Sequence, residues 1–286
     1  MVVIGKIENM NKISLITINY NDAEGLRKTL ASVASQTYTD IEHIIIDGGS
    51  TDGSVEVIRE YEQSLVSSPS PFTSRLKWIS EPDKGIYDAM NKGVAKSSGE
   101  YLLFLNGGDA LASPTAIEDV IPCLNDTDFV IGRSYFSNEG KRCGASPLLG
   151  EKDMSMYYMY LHGINHQSAF IRRNLLIDTP YDTNVRISAD WLFFVQTIVM
   201  QSATVKFVDS FFSDFDLTGV SSNNEAVLKE REEVLKKILP ERIARDYIKI
   251  APHYYEVIRL QWLLNHPICY KIYRSFTTLC RKVVGK

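Results

Sequence analysis

The chain has 286 residues, 44% of them hydrophobic, and a formal net charge of −4 at pH 7. This is the profile of a globular protein with one large domain, or one domain and an appendage. The slight acidic excess provides no overall positive field, so we expect no nucleic-acid partner. No apolar run reaches the roughly 18 residues of a membrane-crossing helix, and the first residues lack the long apolar region of a signal peptide. We therefore expect a cytoplasmic protein.

The first third of the chain alternates short apolar runs with patterns of helical spacing. The runs predict strands, and the segments between them predict helices; the strands fall at 13–18, 41–46, 76–79 and 101–105. This alternation is typical of βαβ units. The sequence therefore predicts an α/β fold with a mostly parallel central sheet flanked by helices. From residue 223 onward, alternating charged and apolar residues predict a helical C-terminal extension.

Polar and mostly acidic residues follow each of the four predicted strands. Because open parallel sheets bind ligands at the carboxyl ends of their strands, we expect these side chains to share one edge. They are Thr17, Asn19, Tyr20, Asp47, Asp52, Glu81, Asp83, Lys84, Asn106 and Asp109. Ordinary turns remain the alternative, since Asp and Gly favour turns at any surface.

The glycine-rich segments match neither of the common phosphate-binding loops. The segment DGGSTDG is not G-x-G-x-x-G, and nothing fits G-x-x-x-x-G-K-[ST], which disfavours an NAD oxidoreductase and a P-loop NTPase. An acidic edge instead suits a hard divalent cation with oxygen ligands, which can hold a diphosphate. Asp109 follows two glycines that allow a close approach of the backbone, so it is a suitable ligand position.

Four segments in order resemble the family 2 glycosyltransferases with the GT-A fold, and especially the bacterial enzymes that build surface polysaccharides and O-antigens. They are ISLITINYND, IIIDGGSTDGS, EPDKGIYDAMNKGVAKSSGEYLLFLNGGD and SADW. The resemblance implies a catalytic domain at 12–215. It further implies a nucleotide-sugar half at 12–110, an acceptor half at 111–215, an N-terminal extension at 1–11 and a helical region at 216–286.

The same resemblance implies roles at the sheet edge. In the family, the end of the first strand and the Asp of the D-G-S-T-D segment hold the nucleoside; these positions are Thr17, Asn19, Tyr20 and Asp47. The residues beside the nucleotide or donor sugar are Asp83, Lys84 and Asn106. The family's D-x-D motif chelates Mn²⁺ or Mg²⁺ and reads Asn106-Gly107-Gly108-Asp109 here, so metal binding rests on Asp109.

Asp190 is the candidate general base. It opens an apolar helical pattern, where an Asp can also simply cap the helix. Inverting members of the family place their base in an E-D or S-x-D motif here, and it takes the acceptor proton while that oxygen attacks the anomeric carbon. His166 and Gln167 would line the acceptor or donor pocket. A zinc pair of His162 and His166 is disfavoured because a glycine between them weakens a helix.

The segment 267–286 contains five Lys or Arg, no Asp or Glu, and several aromatic and aliphatic residues. This pattern is typical of a segment that lies on an anionic membrane; a helix packed on the catalytic domain is the alternative.

Asp190 and the resemblance together predict an inverting, metal-dependent hexosyl- or N-acetylhexosaminyltransferase. It would move a sugar from a nucleotide diphosphate sugar to a lipid-linked oligosaccharide in surface polysaccharide biosynthesis, at the inner face of the plasma membrane. The alternative is a nucleotide-sugar-binding protein without transfer activity.

Overall fold

A computed structural model describes residues 13–67, 75–138, 140–218, 224–250 and 253–284. The predicted N-terminal extension at 1–11 lies outside these residues. The chain forms two compact units, which divide between Val234 and Leu235. The residues described from the predicted catalytic domain therefore belong to the first unit.

The first unit contains a nine-stranded sheet with helices around it. The strands are β1 (Ile13–Asn19), β2 (Ile41–Asp47), β3 (Leu76–Ser80), β4 (Tyr101–Asn106), β5 (Ala110–Leu111), β6 (Phe129–Asn138), β7 (Lys141–Ala145), β8 (Ala169–Arg172) and β9 (Val205–Asp216). The α-helices that begin in this unit are α1 (Ala23–Ala34), α2 (Ser54–Ser67), α3 (Ile86–Lys96), α4 (Met156–Leu161), α5 (Arg173–Asp178), α6 (Ala189–Phe194) and α7 (Asn224–Ile238).

The sheet is mixed rather than purely parallel. Its order is β3-β2-β1-β4-β8-β6-β9-β5, with β7 beside β6. The first four strands in this order are parallel, as predicted, and so is the pair β6 and β9. The short strand β8 runs antiparallel to both of its neighbours, β4 and β6. The α/β prediction is confirmed, and the parallel arrangement holds for the half that comes first in the chain.

Apolar residues at strand and helix spacing build the core of this unit. Every residue of β1 and of β2 is buried, because both faces of the sheet are covered there. On α1 the buried apolar residues Leu26, Leu30 and Val33 recur at helical spacing and join the same core. Burial of each such side chain contributes about 1.5–3 kcal/mol to the free energy of unfolding.

The register of the parallel strands brings their polar ends together. Asn19 of β1 pairs with Asp47 of β2, and Asp47 pairs with Ser80 of β3. On the other side, Asn106 of β4 lies opposite Ile18, one residue before the end of β1. Hydrophobic burial thus sets the register, and the register fixes which polar side chains meet at the edge.

The second unit consists of the end of α7 and three further helices, α8 (Glu241–Ile250), α9 (Tyr254–Leu264) and α10 (Pro267–Val284). The predicted helical C-terminal extension is confirmed. In the part of the chain that the structure describes, no helix combines the length and the apolar composition needed to span a bilayer.

Candidate active site

The ends of β1, β2 and β3 surround the buried carboxylate of Asp47. Its Oδ1 accepts hydrogen bonds from Asn19 Nδ2 at 3.0 Å and Ser50 Oγ at 2.6 Å, and its Oδ2 accepts one from Ser80 Oγ at 2.6 Å. Burial alone would raise the pKa of Asp47, but the hydrogen bonds from Ser50, Ser80 and Asn19 outweigh burial and lower it. The edge therefore holds an ionised carboxylate in a fixed position.

Two amide oxygens at the ends of β1 and β4 have no hydrogen-bond partner among the described residues. Asn19 Oδ1 and Asn106 Oδ1 are buried atoms that accept no hydrogen bond from the described residues. A Cβ atom at Gly107 would lie 2.7 Å from Asn19 Oδ1, so glycine is needed for the close approach of this oxygen. Because an unpaired buried acceptor is costly, these oxygens indicate a ligand that supplies hydrogen-bond donors or a cation.

Tyr20 and Asp83 both lie close to Gly48, just beyond the end of β2. A Cβ atom at Gly48 would come within 3.1 Å of the Tyr20 ring and 2.5 Å of Asp83 Oδ2. The Tyr20 side chain is 67% exposed, which is unusual for a large aromatic group. Lys84 is exposed next to Asp83. The structure thus brings a free aromatic face and a carboxylate to the same edge as Asp47.

The Thr17 side chain, like that of Asp47, is buried and hydrogen-bonded inside the protein. Its Oγ1 lies 2.9 Å from His43 Nε2, and His43 Nδ1 lies 3.3 Å from the Tyr61 hydroxyl on α2. Burial lowers the pKa of His43 to about 3, so the imidazole in this network is neutral. A contact between Thr17 and the nucleoside stays a prediction.

The turn after β4 is held by Asp109, whose carboxylate points into the protein. Its Oδ1 accepts from the Asp216 backbone N–H at 3.0 Å, and its Oδ2 accepts from the Asn106 backbone N–H at 3.1 Å and from Gln167 Nε2 at 3.0 Å. Asp109 is 2% exposed. Burial raises the pKa of Asp109, although its three donors act in the opposite direction.

The oxygen atoms around this turn decide whether a divalent cation fits. Among the described residues, no group of three or more His, Cys, Asp or Glu is placed to hold a metal ion. However, a Cβ atom at Gly108 would lie 3.4 Å from Asp216 Oδ2 and 3.6 Å from Asp22 Oδ2. Together with Asp109 and Asn106 Oδ1, which has no partner among the described residues, these oxygens are possible metal ligands around the turn. Oxygen atoms of this kind are the ligands that a hard cation prefers, but in this structure Asp109 is buried with both oxygens hydrogen-bonded and Lys28 Nζ donates to the Gly108 carbonyl at 2.7 Å.

Asp190 lies in the first turn of α6, and both of its oxygens accept hydrogen bonds. Oδ2 is 2.9 Å from His166 Nδ1, while Oδ1 accepts from the Tyr87 hydroxyl at 2.9 Å and from the Trp191 backbone N–H at 2.8 Å. Burial alone would raise the pKa of Asp190, but the bond and charge of His166 and the bond from Tyr87 lower it. The side chain is 19% exposed. Asp190 is therefore an ionised carboxylate that a ligand can reach.

Asp190 is not the N-cap residue of α6, although its Oδ1 accepts from one backbone N–H of the first turn, that of Trp191. Ser188, not Asp190, occupies the N-cap position of α6. The Asp190 carboxylate is turned toward α3 and toward the short 3-10 turn His166–Ser168. In that turn, His166 contacts Asp190 and the next residue, Gln167, contacts Asp109. Two consecutive residues therefore hold the two candidate carboxylates.

Tyr87 is a site residue that the sequence analysis missed. Its hydroxyl lies 2.7 Å from the Ile187 carbonyl oxygen as well as 2.9 Å from Asp190 Oδ1. The ring is buried and packs against Tyr181, with 5.5 Å between the ring centroids. Tyr87 belongs to the segment EPDKGIYDAM that carried the resemblance, but its apolar helical neighbours indicated only a core residue.

Comparison with known proteins establishes the family. A model of the family described as "Glycosyl transferase family 2" matches residues 14–178. The chain belongs to this family. An uncharacterised glycosyltransferase of Mycobacterium tuberculosis is 33% identical over 219 residues, which cover 74% of this chain and 78% of the relative. A glycosyltransferase of PGL/p-HBAD biosynthesis from Mycobacterium bovis is 29% identical over 214 residues, covering 73% and 78%.

Solved structures place this family 2 glycosyltransferase in the GT-A fold. A mannosyltransferase of Pyrobaculum calidifontis, solved with GDP-Man and Mn²⁺, matches it with a TM-score of 0.60. The match covers 95% of this chain and 81% of the mannosyltransferase at 14% sequence identity, which shows a common fold. The predicted GT-A fold is confirmed, and so is the prediction that the protein is a glycosyltransferase.

Proposed function

We propose that this family 2 glycosyltransferase is an inverting enzyme that uses a nucleotide diphosphate hexose or N-acetylhexosamine. The observation that carries the proposal is the ionised, partly exposed carboxylate of Asp190, which His166 and Tyr87 hold in one orientation. A general base must reach the proton that it removes and stay ionised until it does so. The alternative, a nucleotide-sugar-binding protein without transfer activity, has no use for such a group.

The transfer itself needs a single displacement. Asp190 removes the proton of an acceptor hydroxyl, and that oxygen forms a bond to the anomeric carbon on the face opposite the diphosphate. The bond from the anomeric carbon to the diphosphate oxygen breaks, and its electron pair stays on that oxygen. The configuration at the anomeric carbon is thereby inverted. Holding the acceptor and the base in this alignment supplies part of the rate enhancement.

The donor would bind at the edge formed by β1, β2 and β4, in the nucleotide-sugar half at 12–110. The exposed Tyr20 ring offers a face for the nucleobase, and Asn19 Oδ1 offers an acceptor for a nucleoside hydroxyl or N–H group. Asp47, whose oxygens accept from Asn19, Ser50 and Ser80, is proposed to hold Asn19 in place for this contact. Further donor contacts are proposed for Thr17, Asp83, Lys84 and Asn106. The complex of the mannosyltransferase with GDP-Man supports this choice of ligand class.

A divalent cation, Mn²⁺ or Mg²⁺, is proposed to bind beside the turn after β4. Asp109 is the proposed ligand, and Asp22 and Asp216 are the carboxylates nearest to the same turn. When bound, such a cation would neutralise the charge that develops on the diphosphate. The carboxylate oxygens of Asp22 and Asp216 near the turn and the Mn²⁺ in the mannosyltransferase structure support this proposal, and the Lys28 ammonium, 2.7 Å from the Gly108 carbonyl oxygen, is a second positive group at the same turn.

The acceptor is proposed to be a lipid-linked saccharide, in the biosynthesis of a surface polysaccharide at the inner face of the plasma membrane. It would meet Asp190, His166 and Gln167 in the acceptor half at 111–215. The support comes from α10, where Ile268, Ile272 and Phe276 are four residues apart and 76%, 65% and 65% exposed. Exposed basic residues, Lys271 and Arg274, accompany this apolar stripe. Such a helix binds an anionic membrane surface; packing on the catalytic domain is the alternative.

A donor screen tests the proposal. The full chain would be incubated with a panel of nucleotide sugars and Mn²⁺, with saccharide acceptors that carry short or long lipid chains. We expect one donor to be consumed and its sugar to appear on an acceptor. Binding of a nucleotide sugar without turnover toward any acceptor in the panel would favour the binding-protein alternative.

A further inference from the structure

Glu230 on α7 binds the backbone that leads into the helix of Asp190. Its Oε1 accepts from the Arg186 N–H at 2.8 Å, and its Oε2 accepts from the N–H groups of Ile187 at 2.9 Å and Ser188 at 2.8 Å. Three consecutive backbone donors thus converge on one carboxylate. Because a hydrogen bond to a charged group is worth more than a neutral one, this is a strong anchor for the segment.

The anchor replaces the cap that α6 would otherwise make for itself. Ser188 occupies the N-cap position, yet its Oγ is buried and has no hydrogen-bond partner among the described residues. A serine at this position usually accepts a hydrogen bond from the first turn of its own helix. Here the negative group comes from Glu230, a residue of another helix, and it lies where a helix start favours negative charge.

The same short segment is held from its other side by Tyr87. The Tyr87 hydroxyl contacts both the Ile187 carbonyl oxygen and the Asp190 carboxylate. Ile187 is therefore fixed through its N–H by Glu230, while its carbonyl oxygen and Asp190 Oδ1 share the single proton of the Tyr87 hydroxyl. A shift of this segment would move Asp190 relative to Tyr87 and His166 and thus relative to the acceptor.

The next residue of α7, Arg231, holds the residue that follows Asp190. Its guanidinium lies 5.2 Å from the centroid of the Trp191 ring, and its Nη1 donates to the Tyr160 carbonyl at 3.2 Å. Arg231 is 9% exposed. Burial lowers its pKa to about 10, while the negative charge of Asp190 acts in the opposite direction, so Arg231 remains a cation at neutral pH.

We propose that Glu230 and Arg231 are positioning residues for sugar transfer: α7 fixes the chain on both flanks of Asp190 and thereby sets the place of the base. The inference rests on the proposed role of Asp190 as general base. Glu230 acts through the backbone and does not touch the substrate. Since a misplacement of about 1 Å at a reacting group can cost about 10²-fold in rate, loss of the anchor should appear in turnover.

The Glu230→Gln variant tests the inference, because it keeps the size of the side chain and removes the charge. The matched control is Glu233→Gln, which removes an exposed carboxylate from the same helix. We expect Glu230→Gln to lower kcat by about 10- to 100-fold with unchanged donor Kd. Glu233→Gln should behave as wild type, and Glu230→Asp should recover part of the loss. A kcat within about twofold of wild type, or an equal loss in kcat and donor affinity, overturns the inference.

A double-mutant cycle separates this inference from the proposed function. In the Asp190→Asn background, Glu230→Gln should cause no further loss of kcat, because the group that it positions is gone. An equal loss in both backgrounds would refute the positioning role and leave Asp190 as the base. Full activity of Asp190→Asn alone would refute the base, and the positioning role with it. If Glu230→Gln unfolds below the assay temperature, the same double-mutant cycle can be made with Arg231→Lys. This variant loses the contact of the guanidinium with the Trp191 ring.

Discussion

His166 Nδ1 lies 2.9 Å from Asp190 Oδ2, and this contact joins the 3-10 turn His166–Ser168 to the first turn of α6. An ionised carboxylate can only accept a hydrogen bond, so the proton of this contact sits on Nδ1. The other ring nitrogen, Nε2, is buried and has no partner among the described residues. The next residue, Gln167, donates a hydrogen bond to Asp109. The 3-10 turn His166–Ser168 therefore contacts both Asp190, the candidate base, and Asp109, the proposed metal ligand.

Asp190→Asn should keep donor binding and lose turnover. The substitution is nearly isosteric but removes the base, which typically contributes about 10²–10⁴ in rate. Calorimetry with a nucleoside diphosphate and measurement of kcat give the two quantities. Activity within a few-fold of wild type would remove Asp190 from the mechanism, and a large loss of thermal stability would indicate a structural role instead.

His166→Gln should move the acid limb of the pH–kcat profile to higher pH. His166 lowers the pKa of Asp190 by a hydrogen bond and by its charge. Without it the carboxylate protonates at higher pH and ceases to act as a base there. The profiles of wild type and variant, measured with saturating donor, provide the test. The matched control is His162→Gln, which should leave the profile in place. An unshifted profile for His166→Gln would show that this contact does not set the state of the base.

Asp109→Asn should weaken the Mn²⁺-dependent part of nucleoside diphosphate binding and spare most of the fold. Asparagine keeps one acceptor oxygen, which serves the donors on one side of the carboxylate, whereas Asp109→Ala would leave two backbone N–H groups and Gln167 Nε2 unpaired at about 1–3 kcal/mol each. Calorimetry with and without Mn²⁺ measures the difference, and Asp119→Asn, an exposed position, is the control. Equal metal-dependent affinity in Asp109→Asn and wild type would remove Asp109 as a ligand.

The free energy of unfolding should fall in mild acid because of His43. Its pKa is about 3 in the folded protein, whereas an unfolded histidine titrates near 6.5, so only the unfolded chain binds this proton between those values. Stability from this group is thus complete above pH 6.5 and falls as the pH decreases, by about 1–2 kcal/mol down to pH 5. The free energy of unfolding, measured with urea above pH 6.5 and at pH 5, should differ less between the two pH values for His43→Gln than for wild type. An unchanged difference would contradict the buried neutral state.

The apolar stripe and the basic residues of α10 should contribute to membrane binding in different ways. In flotation with anionic vesicles, Lys271→Gln with Arg274→Gln should reduce binding mainly at low salt, because salt screens the charges. Ile272→Ser with Phe276→Ser should reduce binding at every salt concentration. If wild-type protein does not float with such vesicles, the membrane proposal fails and packing of the helix on protein is favoured.

Much of the sheet edge at the ends of β1, β2 and β4, where the donor is proposed to bind, was predictable from the sequence. Hydrophobic periodicity determines which strands form this edge. The buried runs that became β1, β2 and β4 fixed a common edge, and the first polar residues after them, Asn19 and Asp47, had to meet there. The mixed second half was not predictable, since a short apolar run such as β8 carries no information on its direction. The orientation of the Asp109 side chain toward the protein interior could not be predicted either, because Asp216 and Gln167, which bind its carboxylate, are far away in the sequence.

The role of Glu230 in holding the backbone before Asp190, the candidate base, could not be predicted from the sequence for a similar reason. Glu230 lies in a charged amphipathic helix, where a solvent-exposed role is the usual expectation for a carboxylate. Its three backbone donors at 186–188 carry no sequence signal, because every residue except proline has an N–H group. Asp190 itself was found only through the resemblance to the family, since its local sequence also fits a helix cap.

The anomeric configuration of the first product tests the central proposal most directly. Proton NMR of the product formed by the full chain from its donor and acceptor would report the coupling of the anomeric proton of the transferred sugar, whose configuration the new glycosidic bond fixes. We predict a product whose configuration is inverted relative to the donor, as a single displacement with Asp190 as base requires. A product with retained configuration would contradict this mechanism.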